Sequence, residues 1–521
     1  MHKLTLPSPA STNGTWLLSQ ATHAILKAMI TREGTWHPRY GVSPGYGAVV
    51  YNGVPDTFIA TATAALEWGA LPFARGVIAN HFSYYVRDDG MAFHHTQALP
   101  ASARMLTVLA LHAHYGADED GGAFTLQFFP KAKAVAQALI ARRNASLRAY
   151  PSNDPRHGIP MGLVDAVHPD VSLSDLMLQQ AAPQHWYATA AEMCRAFAEI
   201  GRVWATLGAS MKRDDVKAHG AELLRLAPLI RQQLHASLNR TVSSSTAHGP
   251  RCWAQTAENA ALASPSFRGH AEMLYSGMLS ASQVDDIYVA ASGAACGGPR
   301  TLTLGSPAIG DGASLSTQSA VGLAYGLLQH DMPERFLLHY FATSAHAYTR
   351  GTATAPESSN VTDRDVSTVA YSAAGEVLAP TYLKWMLCFE EPETRTLWLA
   401  KATPREWLES GQAAPIVASN LTTRYGRVSF ELKSDDATGS SYIVRASVRL
   451  PASFAASPPA GGLRLRLRVP LSMAGKLSSV SVGGQPWRRF SASEETIDFL
   501  ASELTKEMMA TGLRAIVATY E

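Results

Sequence analysis

Hydrophobic spacing divides the chain into two textures. Up to about Pro392 apolar residues recur at intervals of three and four, the mark of amphipathic helices. The spacing predicts a first helix from Trp16 to about Ile30. A second follows Asp56, which stands where an N-cap aspartate belongs, just before TFIATATAALEWG. Another starts near Leu71 and ends before the turn Asp88-Asp89-Gly90. Further helices are expected over Pro100–Tyr115 (apolar set Met105, Leu106, Leu109 and Leu111), Lys131–Arg143, Trp186–Leu207 and Asp214–Leu238. Several more fall between Glu272 and Leu387, about a dozen in all. After Pro392 the period drops to two: TLWLAKA, GRVSFELKS, SYIVRASVRL, LRLRLRV, LSSVSVGG and LRAIVATYE read as strands. In the fourth of these, Leu463, Leu465 and Leu467 are expected to face a core, and Arg464, Arg466 and Arg468 to face solvent. The last 130 or so residues thus read as an antiparallel β-sandwich.

The helices are joined by short turns and by long, aromatic-rich loops at 31–55, 144–183, 292–317 and 349–375. Long irregular loops in compact domains are usually functional. Emerging at one end of a helical array, these would build a shared cleft. They hold Trp36, His37, Tyr46, Tyr51, His157, Asp165, His168, Asp170, Arg350 and Glu357. Rings that stack on apolar C–H faces, beside carboxylates and histidines for hydroxyls, suit sugar recognition; the plainer reading is that the aromatics only pack the loops down. The segment 334–357 stands at the centre of this pattern. Phe336, Leu337, Tyr340, Phe341 and Tyr348 cover one broad helical face, then Thr349, Arg350 and Gly351 break it. Pro356 disfavours helix at Ala355 and stiffens the turn that presents Glu357.

Composition narrows the picture by exclusion. A chain of 521 residues is too long for one ordinary core, so two or three domains are expected. It is 46% hydrophobic and 17% charged, with a formal net charge of +2, a balance that argues against a nucleic-acid or anionic-membrane surface. No run approaches the 18 or so apolar residues of a membrane span. The N-terminal run lacks the apolar core of a secretory signal and begins abruptly, as though an upstream segment had been removed. Cys194, Cys252, Cys296 and Cys388 show no metal-ligand spacing, and His94 and His95 are adjacent, so no metal site or cofactor is expected. Isolated buried thiols are the first reading of the cysteines, one or two disulfides the second. Five of nine asparagines (Asn13, Asn144, Asn239, Asn360 and Asn420) lie in N-x-S/T sequons, which points to the secretory pathway and a glycoprotein.

Several stretches carry a resemblance. They are GYGAVVYNGVPDT before the second helix, YYVRDDG, HGIPMGLVDAVHPD, WYATAAEMCRAFAEIGRVW, AYGLLQHD with YTRGTATAPE, and LWLAKATPREWLESG at the opening of the β-part. Together they resemble the six-hairpin glycosidase superfamily. That resemblance implies a mainly α plus β protein, an (α/α)6 toroid over 1–392 followed by an antiparallel β-sandwich over 393–521. Its members often carry a further N-terminal β-sandwich, for which this sequence has no counterpart. It implies hydrolysis of a glycosidic bond in a poly- or oligosaccharide, most often with inversion, by a carboxylic acid and a carboxylate base. By position, Asp170 is the first candidate for the acid and Asp165 the second; Glu357 is the candidate partner, with Glu376 behind it. Arg350 would orient a carboxylate or bind a hydroxyl, and Trp36, Tyr46 and Trp186 would form sugar platforms. The chain departs from the pattern at His168, where a second acid is usual and which is kept as a substrate-binding candidate, and at Ala353, where an aromatic is common. An inactive, carbohydrate-binding relative is therefore one alternative. A polysaccharide lyase is another, with His339, His346, Tyr348 and Arg350 as its candidate groups.

Overall fold

The computed structural model describes residues 3–5, 41–42, 55–92, 98–116, 120–163, 183–244, 249–258, 269–293, 296, 302–303, 306–309, 314–316, 320–348, 355–362, 371–410, 414–435 and 442–521. Among them are eleven helices of eight residues or more: α1 (Pro55–Glu67), α2 (Leu71–Tyr84), α3 (Leu99–Tyr115), α4 (Phe129–Ala149), α5 (Tyr187–Ser210), α6 (Asp214–Thr241), α7 (Gly269–Ser276), α8 (Ala281–Gly293), α9 (Ala320–Gln329), α10 (Pro333–Ala347) and α11 (Leu378–Leu387). The expected helix over 16–30 lies outside the described residues. α1 starts at Pro55, so Asp56 stands in its first turn rather than before it, where its charge still meets the positive end of the helix dipole.

Burial sorts the helices into two layers. α1, α3 and α11 are covered on nearly every side, whereas α4 and α6 bury a single stripe, Phe129, Ala132, Val135, Ala136 and Leu139 opening that of α4. The covered helices form a closed sequence of neighbours: α1 packs on α3, α3 on α5, α5 on α7, α7 on α9, α9 on α11, and α11 back on α1. Outside them α2 packs on α1, α4 on α3, α6 on α5 and α10 on α9. The approach of α7 and α9 is so close that a side chain at Gly322 would run into the Ala271 backbone. On α10 the buried stripe is Phe336, His339, Tyr340 and Thr343. Phe341, expected on that face, is instead 40% exposed, because the stripe follows the three-and-four spacing from Phe336 and leaves Phe341 beside it.

The β-part has two main sheets. Its strands are β1 (Lys3–Thr5), β2 (Cys388–Glu390), β3 (Leu397–Leu399), β4 (Ile416–Thr423), β5 (Gly426–Ser434), β6 (Tyr442–Arg449), β7 (Leu463–Arg466), β8 (Leu477–Val482), β9 (Gln485–Trp487), β10 (Phe490–Ser491), β11 (Thr496–Phe499) and β12 (Ile516–Tyr520). The seven-stranded sheet runs β1-β4-β5-β6-β12-β8-β9, antiparallel throughout. Alternation works here as expected: Phe430 pairs with Val448 and Leu432 with Ala446, and all four are buried. The five-stranded sheet runs β2-β3-β7-β11-β10, and β3 pairs with β7 in parallel, a departure from the wholly antiparallel expectation. Two segments outside 393–521 enter these sheets, β1 and β2.

Two further expectations are corrected. Arg466 and Arg468 do not face solvent: they are 4% and 3% exposed. The other face of β7 is covered by the α9–α10 turn, where Arg466 reaches Asp331 through two bonds of 2.5 and 2.6 Å, and Arg468 reaches Glu334 at 3.1 Å. Only Arg464 stays half-exposed. The isolated-thiol reading holds for Cys194 and Cys388, both buried and free, but Cys252 and Cys296 form a disulfide.

Candidate active site

The N-terminal ends of the inner helices are tied together by a ladder of short backbone pairings. The Leu99 amide donates to the Leu163 carbonyl at 3.0 Å. Gly162 and Gln184 exchange two hydrogen bonds of 2.9 Å, Trp186 bridges Thr256, and the Tyr187 amide donates to the Gln255 carbonyl at 3.0 Å. The segments leading into α3, α5 and α7 therefore meet at one end of the helical array. Asp165, His168 and Asp170 lie outside the described residues, in the span 164–182. Both ends of that span are fixed in the ladder, at Leu163 and Gln184.

A second knot leads into α11. The Ser372 amide donates to the Ala355 carbonyl at 2.8 Å. Tyr371–Ser372 pairs with Gly41–Val42, and Ser358–Asn360 pairs with Ser314–Ser316. Glu357 sits between these anchors and is half-buried, so part of it meets solvent. Glu376 ends the one-turn helix Ala373–Glu376 and is fully covered. Neither of its carboxyl oxygens has a hydrogen-bond partner among the described residues, and burial pushes its carboxyl up to about 8. The Tyr348 hydroxyl fixes this turn, donating to the carbonyls of Gly375 and Glu376 at 2.7 and 3.0 Å. Trp36, Tyr46 and Arg350 lie outside the described residues. Trp186 is 3% exposed and belongs to the core, so its ring presents no open face there.

Beneath the ladder, charged residues line the inside of the helix cycle. Arg104 of α3 bonds Glu192 of α5 at 2.9 Å, contacts Glu272 of α7, and stacks 4.3 Å from the Tyr275 ring. Burial opposes the charge on Arg104, but the two carboxylates outweigh it and raise its pKa; burial raises that of Glu192. Arg195 lies between the rings of Tyr275 and Tyr325, at 4.3 and 4.4 Å. At the ladder itself the His185 amide donates to Glu258 at 3.1 Å and its imidazole contacts the same carboxylate. Burial works to raise Glu258, but His185's bonds and charge hold it below the ordinary carboxylate value. The sequence carried a signal for the interior row: Glu192, Arg195 and Glu199 are spaced as one face of a helix whose other faces are apolar.

The opposite end is closed. Glu67 accepts from Lys384 at 3.0 Å and from Trp385 at 2.9 Å. Arg424, at the β4–β5 turn, reaches Glu390 at 2.7 Å and Glu199 at 3.2 Å. These residues, with Tyr115, Tyr275 and Tyr325, line or border a cavity of about 20 Å³, room for about one water. Contacts between the C-terminal ends of α1, α3 and α11 here, and between N-terminal ends at the ladder, show that the inner helices run the same way. Among the described residues no group of three or more His, Cys, Asp or Glu could hold a metal ion, and no helix is long and apolar enough to cross a membrane.

No protein-family profile matches the chain, and no curated protein matches its sequence. Solved structures do. An α-L-rhamnosidase from Dictyoglumus thermophilum superposes with a TM-score of 0.52 at 8% identity, over 100% of this chain and 50% of that one. A wild-type glycosidase matches at a TM-score of 0.47 and 13% identity, over 73% of this chain and 98% of that one. Mannosylglycerate hydrolase from Thermus thermophilus matches at 0.44 and 13%, over 71% and 100%. These neighbours are glycosidases, and the likeness is one of fold.

Proposed function

We propose that this protein is a glycoside hydrolase built on a six-hairpin toroid with a C-terminal β-sandwich, cleaving a poly- or oligosaccharide with inversion. Supporting the toroid is the closed sequence of inner helices, and supporting the two-part division, 1–392 and 393–521, is the change of texture along the chain. The observation that carries the function is that both carboxyl-bearing segments, 162–184 and 355–376, are hydrogen-bonded into the entrances of inner helices.

In this reading Asp170 is the acid, with Asp165 as its substitute, and Glu357 is the base. Asp170 protonates the leaving glycosidic oxygen as its bond to the anomeric carbon breaks. Glu357 takes a proton from the water that attacks that carbon from the other face. Carboxyls doing this stand roughly 6.5–9.5 Å apart, leaving room for the water. Glu376, fully covered and with its carboxyl pushed up to about 8, is the substitute for Glu357. Arg350, His168, Trp36 and Tyr46 contact the sugar, while Trp186 holds the start of α5 from within the core. The lyase reading is weaker on the geometry. His339 is buried against Tyr382, the His346 imidazole is bonded to the Ala342 carbonyl, and the Tyr348 hydroxyl is engaged by the turn at Glu376.

The disulfide supports a secretory-pathway location, since such bonds persist in oxidising compartments. The deciding experiment is release of reducing sugar from a panel of polysaccharides and aryl glycosides, wild type beside Glu357→Gln. The variant should fold and lose about 10²–10⁴-fold in rate. Equal rates would remove Glu357 from the machinery. An ultraviolet-absorbing unsaturated product would instead make the enzyme a lyase, and retained sugar binding without turnover would make it a binding relative.

A further inference from the structure

Five sequons in one chain are not equivalent once the chain is folded. Asn144 lies midway along α4, half-buried, with its amide oxygen accepting from Arg143 at 3.3 Å. Asn360 is half-buried in a strand paired with Ser314. Asn239 is exposed but sits in the last turn of α6, in regular helix. Asn13 lies outside the described residues.

Asn420 differs from all of these. It lies on β4 where the register with β5 slips: Ala418 faces Phe430 and Leu421 faces Val428, so Ser419 and Asn420 share one partner residue. The extra residue of such a bulge is turned out of the ladder. Asn420 takes it up with φ of 58°, a left-handed conformation that asparagine tolerates better than most residues. Its amide is satisfied by the Ser429 hydroxyl at 2.9 Å, its side chain is exposed, and its carboxamide has no partner among the described residues. Leu421 and Thr422 turn inward and are buried, which pins the sequon while leaving the asparagine outside. Past the Lys3–Ser419 pair, β4 has no strand on that side among the described residues, and the Asn420 carbonyl accepts instead from Arg427 at 3.4 Å. Arg427 and Thr422 lie against Gly69, in the turn that ends α1, so this spot belongs to the closed end of the helix cycle.

We propose that Asn420 carries an N-linked glycan, on the face remote from the candidate active site. The carboxamide nitrogen of Asn420 bonds to the anomeric carbon of a lipid-pyrophosphate-linked oligosaccharide. The bond from that carbon to the phosphate oxygen breaks, and the lipid pyrophosphate leaves with the electron pair while the amide proton is released to it. The inference rests on the secretory-pathway reading, and the experiment separates the two.

The full chain is produced in a eukaryotic secretory host and treated with peptide N-glycosidase in heavy-oxygen water. Its proteolytic peptides are then mapped by mass spectrometry under non-reducing conditions. The Asn420 peptide should appear as aspartate bearing heavy oxygen. Asn420→Asp, which keeps a residue tolerant of the left-handed conformation, should lose one glycan and fold normally, and Thr422→Ser should retain it. Hydrolysis by the Asn420→Asp protein should match wild type. Recovery of unmodified Asn420 from chains with the Cys252–Cys296 bond intact would overturn this inference alone. Chains with neither the bond nor any glycan would overturn the secretory reading as well.

Discussion

Glu376 and Lys401 titrate against the direction of ordinary surface groups, and with opposite consequences. Burial lifts the Glu376 carboxyl from 4.5 to about 8, so the folded protein binds a proton there that the unfolded chain has lost. The stability this proton supplies is complete below about pH 4.5 and disappears as pH rises through about 8. Glu376→Gln should therefore gain on wild type between pH 5 and 8, by on the order of a few kcal/mol, read from urea midpoints at several pH values. Lys401 is 1% exposed, 3.7 Å from the centre of the Trp398 ring and 3.8 Å from Asp331. Burial lowers its pKa from 10.5 to about 7, against the pull of Asp331. Between those values the unfolded chain holds the extra proton, so stability should rise with pH above 7. Lys401→Met should flatten that rise. The charge state of neither group is legible in the sequence: Glu376 is a glutamate in an alanine- and glycine-rich run, and its ionisation depends on a covering that only the fold supplies. The turn that holds Glu357 is different, since Pro356 marks it locally in the sequence.

At the level of elements, periodicity located most helices to within a few residues but missed what covers them. Helix α4 runs past Arg143 to Ala149, since its buried stripe continues through Arg143 and Ser146. The alternation in β7 was read correctly as a strand and wrongly as having a solvated face. Period two separates the faces of a strand without saying what lies over each, and here a second layer supplies Asp331 and Glu334. The disulfide was similarly hidden, because 44 residues separate its cysteines and spacing alone pairs neither with a partner. It joins the strand Arg251–Cys252, just before the ladder residues Gln255 and Thr256, to the segment after α8. Closing a loop of that length restricts the unfolded chain by about 4 kcal/mol on a chain-entropy account. Cys252→Ser should lower the denaturation midpoint accordingly, and reductant should lower that of wild type but not of the variant.

For the whole molecule, the two ends of the helix cycle have different characters. One is an assembly of loop anchors. The other is sealed by ionic contacts from the β-part, with Arg424 as the shared cation of Glu199 and Glu390. Replacing it by methionine keeps much of the volume but leaves Glu390 without its ion-pair partner and Glu199 with Arg202 at 3.1 Å, and should cost about 3 kcal/mol, measured by chemical denaturation. If the helical and β-parts were independent, their transitions would separate in the variant and Glu199 would be indifferent to the loss. The mixed helix-then-strand order was legible at this scale because the change of hydrophobic period is long and sustained. The sealing was not, since it depends on single charged residues some 225 positions apart, Glu199 and Arg424.

The pairing of Lys3 with Ser419 also sets a timetable for synthesis. A ribosome adding roughly 5–20 residues each second needs about 20–80 s to travel from one to the other. Throughout that interval the strand Lys3–Thr5 has no β4 to join, while the helices between them are already being made. The edge of the seven-stranded sheet can close only after the helical body has emerged, so a stalled or truncated chain would leave that strand available to any other open edge nearby.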